Sequence, residues 1–154
     1  MKTMKHILTI AAIGFATTCG IVNAQHKHDH DHGEEAPLGK HKLGELEVTA
    51  AQGHGNVKPG KEGHIVVKLP YNDKGQTQVR VWIGTKDRTL STVSKAKYAP
   101  SHDDYDAHAM APSPLPKGCK WWIELRKPDG KKIIGSIPLL KDIKKGKVEK
   151  KDKK

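Results

Sequence analysis

The sequence predicts an all-β protein built as an antiparallel β-sandwich, because apolar and polar residues alternate in short segments that turn-forming residues separate. This period of two places one side of a strand on a core and the other in solvent. Pro-Gly, Asn-Asp-Lys-Gly and Asp-Gly sequences between the segments are typical of tight turns. The clearest strands are 45–50, 65–69, 78–83, 121–126 and 133–139.

Two weaker segments, 89–94 and 106–110, complete the predicted strand set, within a core region of 38–140. The stretch 98–118 is rich in proline and aspartate and predicts a loop section. Alternation at the last but one strand turns Trp121 towards the core. Six to seven short strands in roughly 100 residues favour an immunoglobulin-like β-sandwich.

Residues 1–24 have the layout of a cleaved signal peptide. Lys2 and Lys5 supply a positive start, and an apolar run follows at 7–16. Small residues precede the expected cut before Gln25. The run is about half as long as the ~20 residues that a membrane-spanning helix needs.

Two alternatives to ordinary cleavage remain open. The apolar run is a short anchor that stays attached, or the chain is cut as a lipoprotein at Cys19, although the residues before that cysteine match the lipoprotein pattern poorly. Ordinary cleavage is favoured, and it predicts a periplasmic or secreted protein. Cys119 is then the only cysteine of the mature chain.

The segment 25–37 is a histidine-rich head that begins QHKHDHDHGEE. It is polar enough to be disordered without metal. Imidazole is a preferred ligand for Cu, Zn and Ni, and alternate spacing lets a chain wrap such an ion. The alternative is a solubilising polar linker. The candidate ligands in the head are His26, His28, His30, His32, Asp29 and Asp31.

A second candidate metal site lies in the sequence SHDDYDAHAM, residues 101–110. If 106–110 is a strand, its alternate residues face one side. The thioether of a methionine and a nearby thiol would favour copper. The alternative is an acidic loop with a surface histidine, a core methionine and a buried cysteine. The candidate ligands here are His102, Asp106, His108, Met110 and Cys119. The isolated His41, His54 and His64 are weaker candidates.

The chain ends in a lysine-rich tail, 141–154, that holds eight lysines and three acidic residues. The tail accounts for much of the formal net charge of +11. It predicts a disordered segment, or one that contacts an anionic envelope surface. No recognition motif for nucleic acid is visible, so no nucleic-acid partner is expected.

The closing hairpin, LPKGCKWWIELRKPDGKKIIGSIPL at 115–139, resembles the last hairpin of periplasmic copper-resistance proteins of the CopC type and of small YtkA-like domains. The resemblance implies an exported immunoglobulin-like domain associated with copper. Members of the CopC type commonly carry Asp-Gly-His at this turn, with the histidine as a copper ligand. This chain has Asp129, Gly130 and Lys131 there, so a metal site must use other residues.

Two functions follow from these patterns. The favoured one is an exported protein that binds Cu, Zn or Ni and buffers it, captures it or delivers it to a metal efflux or uptake system. The alternative is a non-catalytic module of the cell envelope whose basic tail contacts anionic surfaces. No catalytic triad, phosphate-binding loop or pair of catalytic carboxylates stands out, so an enzyme is not expected.

Overall fold

The structure is a computed structural model that describes residues 34–142. Within that range the chain forms nine strands, and no helix there is long and apolar enough to cross a membrane. The strands are β1 (Ala36–Leu43), β2 (Leu46–Gly53), β3 (Glu62–Lys68), β4 (Gln78–Gly84), β5 (Ser94–Lys95), β6 (Lys97–Ala99), β7 (Asp104–Met110), β8 (Lys120–Arg126) and β9 (Lys132–Ile137).

The strands form two antiparallel sheets. A five-stranded sheet has the order β1-β2-β3-β7-β6, and a four-stranded sheet has the order β5-β4-β8-β9. Strands β2-β3-β7-β6 follow the A-B-E-D order of an immunoglobulin-like sheet, and β4-β8-β9 follow its C-F-G order. The predicted all-β sandwich is confirmed.

The core fills the space between the two sheets, as alternation requires. Trp121, Ile123 and Ile65 are completely buried there, which confirms the predicted inward position of Trp121. Trp82 and Trp122 lie on the opposite side of the four-stranded sheet, where their rings stack 6.1 Å apart. Trp121 therefore lies on the core side of this sheet, and Trp82 and Trp122 lie on its outer side, as alternation along β4 and β8 requires.

Most strand ends differ from the sequence prediction by a few residues, and the largest differences are at three places. Strand β1 was not predicted and begins at Ala36, two residues before the predicted domain start. Of the predicted strand 89–94 only Ser94 is in a strand. The predicted loop section 98–118 contains part of β6 and the whole of β7.

Several predicted features lie outside the described residues. They are the signal peptide, the six candidate ligands of the head and residues 143–154 of the tail. Lys141 and Asp142, which the prediction assigned to the tail, are helical together with Leu140 after β9.

Candidate metal centre

Strands β3 and β7 bring two histidines side by side on the outer face of the five-stranded sheet. Their antiparallel register pairs His64 with His108 and Val66 with Asp106. Because Ile65 and its alternate neighbours fill the core, His64 points to the outer face. The same alternation in β7 turns Asp106, His108 and Met110 outwards, so their predicted common face is confirmed.

His64, Asp106 and His108 form a compact group, named here the β3–β7 cluster. The Nε2 atom of His64 lies 2.8 Å from Oδ1 of Asp106, and Nε2 of His108 lies 3.7 Å from the same oxygen. One ligand atom from each of the three residues lies within 4.8 Å of the others. Ligand atoms around a tetrahedral Zn(II) are about 3.3 Å apart, so small side-chain shifts would fit such an ion.

His64 is buried although it lies on the outer face of the sheet, with 2% of its surface exposed. The ring of His108 stacks on it at a centroid distance of 4.6 Å. On the other side β2 supplies Gly53, directly opposite His64 in the β2–β3 register. A Cβ atom at Gly53 would lie 2.1 Å from Nδ1 of His64, so only glycine leaves room for this ring.

A third imidazole, His54, lies beside the cluster in the turn after β2. Its ring centroid is 5.3 Å from that of His64 and 5.9 Å from that of His108. His54 has a φ of 57°, an uncommon left-handed conformation for a residue with a side chain. Such local strain persists where the surrounding structure fixes the backbone.

The buried side chain of Gln52 anchors this turn. Its amide nitrogen donates a hydrogen bond to the carbonyl oxygen of Gly55, and its amide oxygen accepts one of 2.8 Å from Nε1 of Trp121. A core tryptophan thus fixes, through Gln52, the backbone that carries His54. The position of the third imidazole is therefore tied to the core of the sandwich.

Glu62 holds the ring of His108 from the side away from Asp106. Its Oε1 lies 3.1 Å from Nδ1 of His108. A proton on Nδ1 that is donated to Glu62 leaves the lone pair of Nε2 available towards Asp106. Carboxylates that orient a histidine through its second nitrogen are a recurrent feature of metal sites.

The electrostatics of the site favour a neutral His64. Burial lowers the pKa of its imidazole, the carboxylate of Asp106 opposes that effect, and a charged His108 lowers the pKa further. The net direction is downward, so His64 is neutral at pH 7. Neutral imidazole is the form that binds metal. Lys97 of β6 is paired in register with Asp106.

Met110 extends the row of outward residues beyond His108. It is 46% exposed and is paired in register with Glu62. Alternate residues of a strand are about 6.6 Å apart, within reach of a long thioether side chain. Met110 therefore offers a soft sulfur ligand beside the imidazoles.

The structure does not bring every predicted ligand to this site. His102 lies in the exposed turn before β7, where its carbonyl oxygen accepts a hydrogen bond from Nζ of Lys68, at the opposite end of β3 from His64. Cys119 is buried in the core on the other side of the sheet, where burial raises the pKa of its thiol. Its environment matches the alternative of a small buried hydrophobic residue.

His64 lies at the centre of the cluster, although the sequence made it only one of three weaker candidates. It appeared as an isolated histidine, 44 residues from His108, as their residue numbers show. Its position between Gly63 and Ile65 at the start of an alternating strand gave the signal, because it placed a histidine on the outer face. Only the pairing of β3 with β7 shows which other residues share that face.

Comparisons of the chain with protein-family models, with curated proteins and with solved structures each found no match. The case for a metal centre therefore depends on the chemistry and geometry of the residues themselves. The β3–β7 cluster lies on the five-stranded sheet and not at the β8–β9 turn, which carries Lys131.

Proposed function

We propose that this chain binds a divalent transition-metal ion at the β3–β7 cluster. The observation that carries the proposal is the convergence of two imidazoles and one carboxylate whose ligand atoms lie within 4.8 Å of one another. The adjoining His54, Glu62 and Met110 supply further ligands or orient the first three. Mixed imidazole and carboxylate donors suit Zn(II), Cu(II) and Ni(II).

A hydrogen-bonded His–Asp pair also occurs as a purely structural element, and two features favour metal binding over that reading. The second histidine, His108, has 39% of its side chain exposed, so an ion has access to the cluster from solvent. Its Nδ1 is held by Glu62 while Nε2 faces Asp106, which is the orientation that a ligating imidazole requires.

The proposed role is buffering, capture or delivery of the ion rather than catalysis. Three ligands at the surface of a sheet hold an ion in an open site, from which it is released more readily than from a closed structural site. A signal peptide at 1–24 would place this activity in the periplasm or outside the cell, beside a metal efflux or uptake system.

The test is a titration of the full chain with Zn(II), Cu(II) and Ni(II) in a background that carries His26→Ala, His28→Ala, His30→Ala and His32→Ala. In this head-silent background, we expect one equivalent of metal to bind. The double variant His64→Ala/His108→Ala should abolish that binding, whereas the control His41→Ala/His102→Ala should leave it unchanged. Absence of binding in the head-silent background would overturn the proposal.

A second candidate function, contact with an anionic surface, is favoured by the outer face of the four-stranded sheet. Among the outward residues of β4, β5, β8 and β9 the only acid is Glu124, and it is buried. The basic residues on these outward positions are Arg80, Lys95, Lys120, Arg126 and Lys132.

This candidate predicts salt-sensitive binding to vesicles that contain anionic lipid and none to zwitterionic vesicles. The triple variant Lys95→Gln/Lys120→Gln/Arg126→Gln should weaken binding, and Lys40→Gln/Lys42→Gln/Lys68→Gln on the five-stranded sheet serves as the charge-matched control. Deletion of 143–154 separates the contribution of the tail from that of the sheet. Equal losses in the two triple variants would argue against a specific face.

A further inference from the structure

We infer that His54 is the ligand through which an ion enters the β3–β7 cluster and leaves it, by way of a surface groove that His54 shares with Glu34 and Glu35. This groove is named here the entry groove. The inference rests on the proposed function and specifies how the same site is loaded and emptied. It assigns a ligand role to His54 and a charge-attracting role to the two carboxylates.

Three imidazole rings form a triangle on the outer face of the five-stranded sheet. Their centroid distances are 4.6 Å between His64 and His108, 5.3 Å between His54 and His64, and 5.9 Å between His54 and His108. Three imidazoles bonded to one tetrahedral ion at about 2.0–2.1 Å have centroids about 5 Å apart. The rings are therefore spaced for one ion, and His54 fills the position that the β3–β7 cluster leaves open.

His54 is placed to meet an incoming ion first. It is exposed in the turn after β2, whereas His64 is buried and paired with Asp106. The nitrogens of His54 lie outside the group of ligand atoms within 4.8 Å of one another, so its ring must turn to bind. Because Gln52 fixes the backbone of this turn, a rotation of the exposed side chain suffices. His54 therefore has the features of the ligand that exchanges.

The entry groove brings the start of β1 next to the cluster. Glu35 directly precedes Ala36, which pairs with Gln52, and the next residue of β2, Gly53, pairs with His64. The ring of His64 fills the space where a side chain of residue 53 would stand. The negative charge of Glu35 acts on this imidazole and raises its pKa against the larger effect of burial. The charge of the groove thus reaches the metal-binding side chains.

The charges around the groove favour the approach of a cation to a protein that otherwise repels it, since the formal net charge of the chain is +11. Asp106 and Glu62 lie 2.8 Å and 3.1 Å from imidazole nitrogens of the cluster, and Glu34 and Glu35 line the groove. Lys97, which pairs with Asp106, lies on β6, at the opposite edge of the sheet from β1. Clefts lined by one sign of charge raise the association rate of an oppositely charged ligand by about 10- to 1,000-fold.

The kinetics of Zn(II) binding separate the two roles. Stopped-flow exchange with a fluorescent chelator gives the association and dissociation rate constants of the full chain in the head-silent background. The variant His54→Asn removes the imidazole, and asparagine tolerates the positive φ of this position. The variant Glu34→Gln/Glu35→Gln removes the charge of the groove. The matched controls are His102→Asn, in another exposed turn, and Glu45→Gln/Glu47→Gln, two exposed acids of the β1–β2 hairpin.

Each variant should change a different quantity. His54→Asn should raise the dissociation rate constant about tenfold or more, because even indirect partners of ligands contribute 10- to 100-fold in affinity. Glu34→Gln/Glu35→Gln should lower the association rate constant about three- to tenfold and weaken its dependence on ionic strength, with dissociation nearly unchanged. With Cu(II) as the probe, pulsed EPR should count three coordinated imidazoles in the head-silent chain and two in His54→Asn.

The outcomes that contradict the inference differ from those that contradict the proposed function. An unchanged dissociation rate constant or an unchanged imidazole count in His54→Asn would overturn the inference and leave the proposed function in place. The same conclusion would follow if association slowed no more in Glu34→Gln/Glu35→Gln than in its control. Absence of metal binding in the head-silent background would overturn both.

Discussion

The outer face of each sheet buries one ionisable side chain, and the two side chains have different kinds of partner. Glu124 on the four-stranded sheet and His64 on the five-stranded sheet are both 2% exposed. Glu124 forms ion pairs with Arg88, with Lys132 at 2.9 Å and with Arg80 at 3.8 Å. His64 pairs instead with Asp106 and stacks on a second imidazole.

The difference supports the proposal that a ligand binds on the face of the five-stranded sheet. Around Glu124 the chain supplies more positive charge than the carboxylate needs, and Arg88 also covers Trp82 with its guanidinium 4.4 Å from the ring centroid. That network is complete without an added ion. Around His64 the groups are electron-pair donors that converge on one another, and a metal cation is the partner that such a set accepts.

The largest expected effect is that of Gly53→Ala, which would displace His64 from the β3–β7 cluster. The added Cβ would lie 2.1 Å from Nδ1 of His64, so the ring must leave its position. We expect the Kd for Zn(II) to rise at least about 100-fold, as for loss of a ligand, because even indirect partners of ligands contribute 10- to 100-fold. Calorimetry measures the Kd, and Thr49→Ala, an exposed position on the same strand, is the control. An unchanged Kd would show that His64 is not a ligand.

Glu124→Gln should affect stability and leave metal binding intact. The substitution keeps the size of the side chain but leaves Arg88 and Lys132 without their carboxylate. We expect the free energy of unfolding to fall by about 2 kcal/mol, below the usual cost of breaking a buried pair because the cations are partly exposed. Urea unfolding measures this loss. A matching fall in Zn(II) affinity would contradict the separation of the two faces.

The sequence predicted the regular part of this fold and missed the irregular part. Strands β3, β4 and β8 follow a clean alternation, and each was located within a few residues. Strand β1 was missed because its register shifts between Pro37 and Gly39, a bulge that interrupts the period of two. The two short strands β5 and β6 carry too few residues for any period to appear.

The candidate site was half predicted for a related reason. Asp106, His108 and Met110 share one strand, so alternation alone places them on one face. His64 and His54 come from other segments, and their proximity depends on the pairing of β3 with β7 and on the turn after β2. Cys119 was predicted to be a ligand because it is close to Met110 in sequence. In the structure it lies in the core, and the sheet separates it from the outer face.

Glu62→Gln should weaken metal affinity by a smaller amount, and it tests whether Glu62 orients His108 for metal binding. The neutral amide weakens the hold on Nδ1 of His108, and second-sphere changes of this kind cost 10- to 100-fold in metal affinity. We expect the low end, about tenfold, because Glu62 is 60% exposed. Glu47→Gln, which loses an exposed ion pair with Lys40 on the same sheet, is the matched control and should not change the Kd.

The smallest expected effect is on the pH dependence of the free energy of unfolding, which tests the ion pairs of Glu124 on the four-stranded sheet. Burial raises the pKa of Glu124, but hydrogen bonds from Lys132 and Arg88 outweigh it and hold that pKa below the ordinary value of 4.5. The unfolded chain therefore binds a proton at a higher pH than the folded one does. The stability that the ionised carboxylate contributes is present above pH 4.5 and is lost as pH falls through the lower pKa of the folded state.

In Glu124→Gln the glutamine does not titrate, so the free energy of unfolding should depend less on pH below 4.5 than in the unaltered chain. The change in slope is at most about 1.4 kcal/mol per pH unit, the value for one proton. A residual slope should remain from Asp73. Burial raises the pKa of its carboxyl group, but hydrogen bonds from Thr77 and Tyr105 outweigh that effect and lower the pKa below its ordinary value. Urea unfolding at several pH values, with a chelator present, measures both slopes. Equal slopes in the two proteins would mean that the cations around Glu124 do not stabilise its charge. The described difference between the two faces would then be wrong for the four-stranded sheet.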